Sequence, residues 1–298
     1  MGHAYISFLS DYGWAGGYVA ACEATIATIA PAVRVLHISH EVALGDVRSG
    51  GAVLARVAPL GPVAIHLAVV DPGVGSGRGA VALHCARGDY LVGPDNGLLI
   101  PAAALLGDIA TAWALDPHSV RTQADLTPVE PSNTFHGRDV FAPAAALLAT
   151  GLSPAAIGRP LDPDELLQPP PSRAEIGADA TRTDVIEIDR FGNVALSVGL
   201  ENLAFYEVVE LGVTVEQESE QEWRCRFVTT FSDLRPGELG ILQDSWGHAS
   251  LALNGASAAE LLGARLGGTV LLVPPPADGT DRAAAGGEDQ STAGGATL

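Results

Sequence analysis

At 298 residues, with 47% of them hydrophobic, the chain has material for one large or two ordinary domains and their cores. Its formal charge of −19 argues against nucleic acid or an anionic membrane as partner, because both need clustered Lys and Arg. Every formal positive side chain is Arg, which removes lysine Schiff-base and P-loop lysine chemistry together.

The first residues, Met1-Gly2-His3-Ala4-Tyr5, carry neither the basic nor the apolar region of a signal peptide. No apolar stretch approaches the ~20 residues that span a bilayer, so a soluble cytoplasmic protein is expected. Ala4 to Leu9 reads as a strand, and Gly17 to Ile29 as an Ala-rich helix stopped by Pro31. A strand from Val33 to Ile38, a helix from Val47 to Val57 and a strand from Ala64 to Val70 follow. The last of these is mostly apolar and β-branched and is broken by Pro and Gly, the pattern of a buried strand. Ala80 to Cys85 and Tyr90 to Val92 read as a strand pair, then Leu98 to Leu106 as a helix. Ile109 to Leu115 reads as a strand and Phe141 to Ala149 as a helix. Strands alternating with helices predict an N-terminal α/β domain over 1–151, with a mainly parallel sheet flanked by helices.

From 152 to 175 the periodicity fades and proline accumulates, ending in Pro169-Pro170-Pro171, which predicts a semi-rigid linker. Short β-rich runs then follow at Val185–Ile188, Val194–Val198, Tyr206–Leu211, Cys225–Thr229, Gly240–Gln243, Leu251–Asn254 and Val270–Val273. They predict a smaller C-terminal β domain over 176–275, barrel-like or sandwich. Residues 276–298, mostly Gly, Ala, Ser, Thr and acid, have little to bury and are expected to be a disordered tail.

Chemistry gathers at a few places. Asp71 follows the buried strand, at the carboxyl end where open α/β sheets place ligands. Arg78 lies seven residues on, and His136 precedes the helix that begins near Val140. A carboxylate, a guanidinium and an imidazole on three loop positions could surround one reacting atom. Taken singly, Asp71 and Arg78 could form a structural ion pair. Likewise His136 could cap a helix or face solvent, and Asp139 could be an N-terminal cap. Gly73, Gly75, Gly77 and Gly79 invite a dinucleotide reading, but the third fingerprint position is Arg78 and a strand follows, so the pattern fails. Those glycines suit tight turning beside a ligand. His37, His40 and His66 read as core or edge histidines, since no third ligand completes a metal site. Cys22, Cys85 and Cys225, odd in number and far apart, read as small core residues rather than a disulfide framework.

Six motifs occur in one order along residues 4–273. They are Leu9-Ser10-Asp11-Tyr12-Gly13, Asp71-Pro72-Gly73-Val74-Gly75 with Arg78, Gly93-Pro94-Asp95-Asn96-Gly97, Phe135-His136-Gly137-Arg138-Asp139, Ile188-Asp189-Arg190-Phe191-Gly192-Asn193 and Asn254-Gly255-Ala256-Ser257-Ala258-Ala259. In these the chain resembles the S-adenosyl-L-methionine (SAM) hydrolases that form adenosine, the SAM hydroxide adenosyltransferases. The resemblance implies an α/β domain followed by a β domain, in homotrimers whose sites lie between neighbouring subunits. It implies hydrolysis of SAM, as substrate rather than cofactor, by water activated at Asp71, Arg78 and His136, with no metal. It implies ribose contacts from Asp11, contacts to the methionine amino group from Asp189 and Asn193, and an apolar wall from Phe191. Ser245 matches the residue that holds the methionine carboxylate. The family usually has Asn before that serine, where this chain has Asp244, and Trp246 either stacks on the substrate or packs the barrel. The related fluorinating and chlorinating enzymes use a halide nucleophile and lack the Asp, Arg, His set. A non-catalytic SAM or adenosine sensor would keep Asp11, Asp189 and Asn193 without the water-activating groups.

Overall fold

In the computed structural model, residues 2–126, 131–169, 173–203, 210–215 and 221–274 are described. The chain divides into two units, Met1–Ser172 and Arg173–Leu298.

The first unit is built on strands β1 (Tyr5–Ser10), β2 (Arg34–Ser39), β3 (Ile65–Val69), β4 (Ala80–Cys85), β5 (Tyr90–Pro94), β6 (Ile109–Leu115) and β7 (Gly158–Leu161). Helices α1 (Tyr18–Ile29), α2 (Val47–Val57), α3 (Ile100–Leu105), α4 (Pro117–Gln123) and α5 (Ala142–Ala149) connect or cover them. The sheet order is β2-β1-β3-β5-β4-β6-β7. Pairings from β2 to β5 are parallel, and those joining β5, β4, β6 and β7 are antiparallel, so the parallel character is confined to the half that ends in the Asp11 and Asp71 loops.

Alternate residues of the central strands enter opposite layers, which is why their sequences are apolar throughout. Ile6, Phe8, Ile65, Leu67 and Val69 pack with α1 and α5. Leu9, Ala68 and Val70 pack with α2 and α3. All eight residues of α5 are buried, so it shows no polar stripe.

Two elements depart from the sequence reading. The stretch expected as a semi-rigid linker over 152–175 carries a strand: β7 pairs antiparallel with β6 and ends the sheet, and the units divide at 172/173. Pro160 is tolerated because an edge strand needs no donor on its outer side. Helix α4 was hidden by its shortness, although Asp116 caps it by accepting from the Ser119 amide at 2.9 Å and Pro117 opens it.

The second unit contains β8 (Ala174–Ile176), β9 (Thr181–Ile188), β10 (Val194–Leu196), β11 (Glu210–Val215), β12 (Trp223–Phe227), β13 (Leu239–Gln243), β14 (Ala249–Leu253) and β15 (Thr269–Val273), with α6 (Ala258–Leu262). Seven strands close into a barrel in the order β9-β10-β14-β13-β12-β11-β15, and β8 adds to β9. Val185, Val194, Val213, Cys225, Ile241, Leu251 and Val270 fill its interior. Most of the strand expected at Tyr206–Leu211, and the tail expected over 276–298, lie outside the described residues. No described helix is long and apolar enough to cross a membrane.

Candidate active site

Strands β1, β3 and β5 run parallel and end on one edge of the sheet, where the chain continues into Asp11, Asp71 and Asp95. The Asp95-Asn96-Gly97 turn organises this edge. Asn96 donates to the Val70 carbonyl at 2.9 Å, and the Leu167 amide donates to Asp95 at 3.0 Å.

Asp71, Arg78 and His136 form one cluster. Arg78 Nε donates to both oxygens of Asp71, at 2.9 and 3.1 Å, and Nη2 also bonds Asp71 Oδ2. The same Nη2 donates to His136 Nδ1 at 2.9 Å, and Nη1 donates to the Gly79 carbonyl at 3.1 Å. The Asp71 and Arg78 side chains are only 6% and 10% exposed, so this pair exceeds an ordinary surface bridge in worth. The guanidinium lies 4.9 Å over the Phe141 ring, adding a cation–π contact.

A guanidinium can only donate, so His136 Nδ1 is unprotonated and the proton of the neutral ring sits on Nε2. Burial, and next the Arg78 cation, hold the His136 pKa below the ordinary imidazole value. The cluster therefore offers donors at Arg78 and His136 Nε2, with Asp71 its acceptor.

Local folding explains how three distant residues meet. Between Asp71 and Arg78 the loop turns twice, with the Val74 amide on the Asp71 carbonyl and the Ser76 amide on the Gly73 carbonyl. Gly75 has φ +77°, and a Cβ there would sit 2.3 Å from the Asn133 carbonyl oxygen. The loop can approach the His136 segment so closely only with glycine at that point.

His136 itself differs from the loop position expected. It already has helical backbone and opens a π turn, Gly137–Phe141, that leads into α5. Asp139 is not a helix cap. It is buried inside the turn, accepts from the Ser132 amide at 2.8 Å, and is bridged by Arg138 at 2.7 Å. Burial raises the Asp139 pKa, but the Arg138 and Ser132 hydrogen bonds outweigh it and hold the carboxyl low.

Asp11 is held by the Gly45 amide, which donates to Oδ2 at 2.8 Å. Just before it lies a directed hydrogen-bond chain: Ser10 to His40 Nδ1 at 2.7 Å, His40 Nε2 to His37 Nδ1 at 2.7 Å, and His37 Nε2 to Glu23 at 3.0 Å. Burial, with His37 second, lowers the pKa of His40 to about 4. His66 lies between Ser7 at 2.6 Å and Asp89 at 3.1 Å. His40 and His66 are core groups and His37 is an exposed one at the sheet edge, and among the described residues no group of three His, Cys, Asp or Glu could hold a metal ion.

The second unit gathers the other candidates around a cleft of about 810 Å3. Asp189, Phe191, Asn193, Ser245 and Trp246 all line it. Asp189 shapes the β9–β10 turn by accepting from the Phe191 and Asn193 amides at 2.8 and 2.9 Å and from Asn193 Nδ2 at 2.8 Å. Phe191 is thereby left 74% exposed. Asp244 accepts from the Trp246 and His248 amides at 2.8 and 2.9 Å, so a carboxylate serves the turn ahead of Ser245. Phe231 and the stretch from Asn254 to Ser257 also line the cleft. The latter was visible only as a motif without a role, and Phe231 carried no signal, because it nears the cleft through barrel closure alone.

The chain matches the family model for the SAM hydroxide adenosyltransferase N-terminal domain over residues 6–158, and that for the C-terminal domain over residues 183–271. It is 44% identical to an (R)-S-adenosyl-L-methionine hydrolase of Salinispora tropica, across 87% of this chain and 94% of that one. Against a fluorinase of Actinopolyspora mzabensis the identity is 27%, covering 85% and 92%. The crystal structure of an uncharacterized conserved protein from Thermotoga maritima superposes with a TM-score of 0.79 at 30% identity, covering 90% of this chain and 99% of that one.

Proposed function

The chain belongs to the SAM hydroxide adenosyltransferase family, and we propose that it hydrolyses SAM to adenosine and L-methionine by attack of water on C5′. The observation that carries this reading is the bonded cluster of Asp71, Arg78 and His136 beside the Asp11 loop. Bulk water has a pKa near ~15.7, so its proton must be lost or shared for it to attack. Arg78 and the Nε2 proton of His136 stabilise the oxygen as it becomes hydroxide-like. Asp71, the acceptor of the cluster, orients Arg78 and takes the water proton. One O–H bond breaks, the new C5′–O bond forms, and the C5′–S electron pair leaves with methionine. A partly hydroxide-like oxygen approaching a sulfonium cancels charge, so an apolar site with fixed dipoles favours the transition state.

Asp11 binds the ribose hydroxyls, Asp189 and Asn193 the methionine amino group, and Ser245 its carboxylate, with Phe191 and Trp246 as apolar walls. The two sets of residues lie in different units, and the family resemblance is what points to a homotrimer with sites shared between subunits. Three buried cysteines, all free, support a cytoplasmic location. No cofactor is required.

Incubating the purified protein with SAM that contains the (R) sulfonium epimer, for which its relatives are named, should release adenosine and methionine in equal amounts, before and after prolonged chelation. Failure to form either product, or a 5′-halogenated nucleoside in chloride or fluoride, overturns the proposal.

A further inference from the structure

Tyr12 stands directly after Asp11 at the end of β1, beside the strand that leads to Asp71. Its ring meets Phe135 edge-on, with centroids 5.6 Å apart at 79°, and lies 5.8 Å from Tyr18; those two rings are 5.0 Å apart at 85°. This three-ring cluster joins the start of α1 to the His136 segment and fixes the direction of the phenol. The hydroxyl lies against Gly137, next to His136: a Cβ at Gly137 would stand 2.1 Å from Tyr12 Oη. Gly137 has ordinary negative φ, so glycine is needed there for space and not for conformation. Arg78, which bonds His136, lies over Phe141 at the other end of the same π turn.

No hydrogen bond from the hydroxyl to a described residue is formed, and Tyr12 is half-buried, packed against the core by its ring. A hydroxyl with no protein partner but with access to solvent is free to bond a ligand or water in the site. Burial first, then neighbouring groups that include Asp11 and Asp71, raise the phenol pKa far above its ordinary value. Tyr12 thus stays protonated and keeps a hydrogen to donate.

We propose that Tyr12 is a catalytic residue whose hydroxyl donates a hydrogen bond to the oxygen attacking C5′, as a third donor beside Arg78 and His136. The inference rests on the hydrolase reading above. No bond of the phenol breaks. The donor holds neutral water weakly and hydroxide-like oxygen strongly, so it acts on the transition state more than on substrate binding.

The test is Tyr12→Phe in the full-length protein, assayed for adenosine release. Turnover should fall about 10- to 100-fold while KM for SAM stays within about threefold. Thermal unfolding should not shift downward, because the hydroxyl removed has no protein partner. Gly137→Ala reports on the geometry independently. It should be strongly impaired with Tyr12 present and cost far less in the Tyr12→Phe background, where the nearest oxygen is gone. Wild-type turnover in Tyr12→Phe, or a rise in KM at unchanged kcat, overturns the inference and leaves the hydrolase reading standing. Absence of SAM cleavage by the wild-type protein removes that reading and the inference with it.

Discussion

Replacing Arg78 by Ala removes the group that joins Asp71 to His136, and replacing His136 removes the acceptor of that bond. Each variant should lose about 100-fold or more in kcat, with little change in KM, because both donors act on charge that develops during attack. Steady-state kinetics on the two variants checks this, and near-full turnover in either removes that residue from the mechanism. The pH profile follows from the same bond. With its pKa lowered by burial and then by Arg78, His136 is neutral at neutral pH and accepts at Nδ1. Acid protonates that nitrogen, deletes the acceptor and sets a second cation beside the guanidinium. Activity should therefore hold at neutral pH and fall in acid, with its inflection below the ordinary imidazole value of about 6.5. An inflection above that value contradicts the assignment.

Among the elements, the loop from Asp71 to Arg78 does the positioning, and its glycines are not equivalent. Gly75 combines φ +77° with the 2.3 Å approach to Asn133, whereas a Cβ on Gly77 meets nothing within 4 Å. Gly75→Ala should destabilise by about 1–3 kcal/mol and lower kcat about 10- to 100-fold by opening the Arg78–His136 contact. Gly77→Ala should leave both nearly unchanged, and thermal unfolding with kinetics distinguishes the two. The alternation of glycines was plain in the sequence, but their unequal burdens were not, because the obstacle at Gly75 comes from a residue 58 positions away. In the same way β7 looked like linker, since a proline-bearing edge strand has no periodicity of its own and exists through its pairing with β6.

For the whole molecule, the site candidates divide between two units: Asp11, Asp71, Arg78 and His136 in the first, Asp189, Asn193 and Ser245 in the second. If neighbouring subunits share sites, Asp71→Ala and Asn193→Ala proteins, each inactive, should regain part of the activity when mixed and allowed to exchange subunits. A fully active monomer in light scattering, or no recovery after proven exchange, refutes shared sites. The sequence by itself determined the strand–helix alternation, the change to β structure, and the Asp71, Arg78 and His136 triplet. The first two rest on local hydrophobic period, which neighbouring positions already encode, and the triplet on ordered motifs that resemble a family's. Tertiary structure alone decided that His136 accepts from Arg78, that Asp139 ties back to Ser132, that Phe231 joins the cleft and that Tyr12 rests on Gly137. Each is a contact between residues remote in the chain or a turn imposed by packing, so nothing in the adjoining sequence announces it.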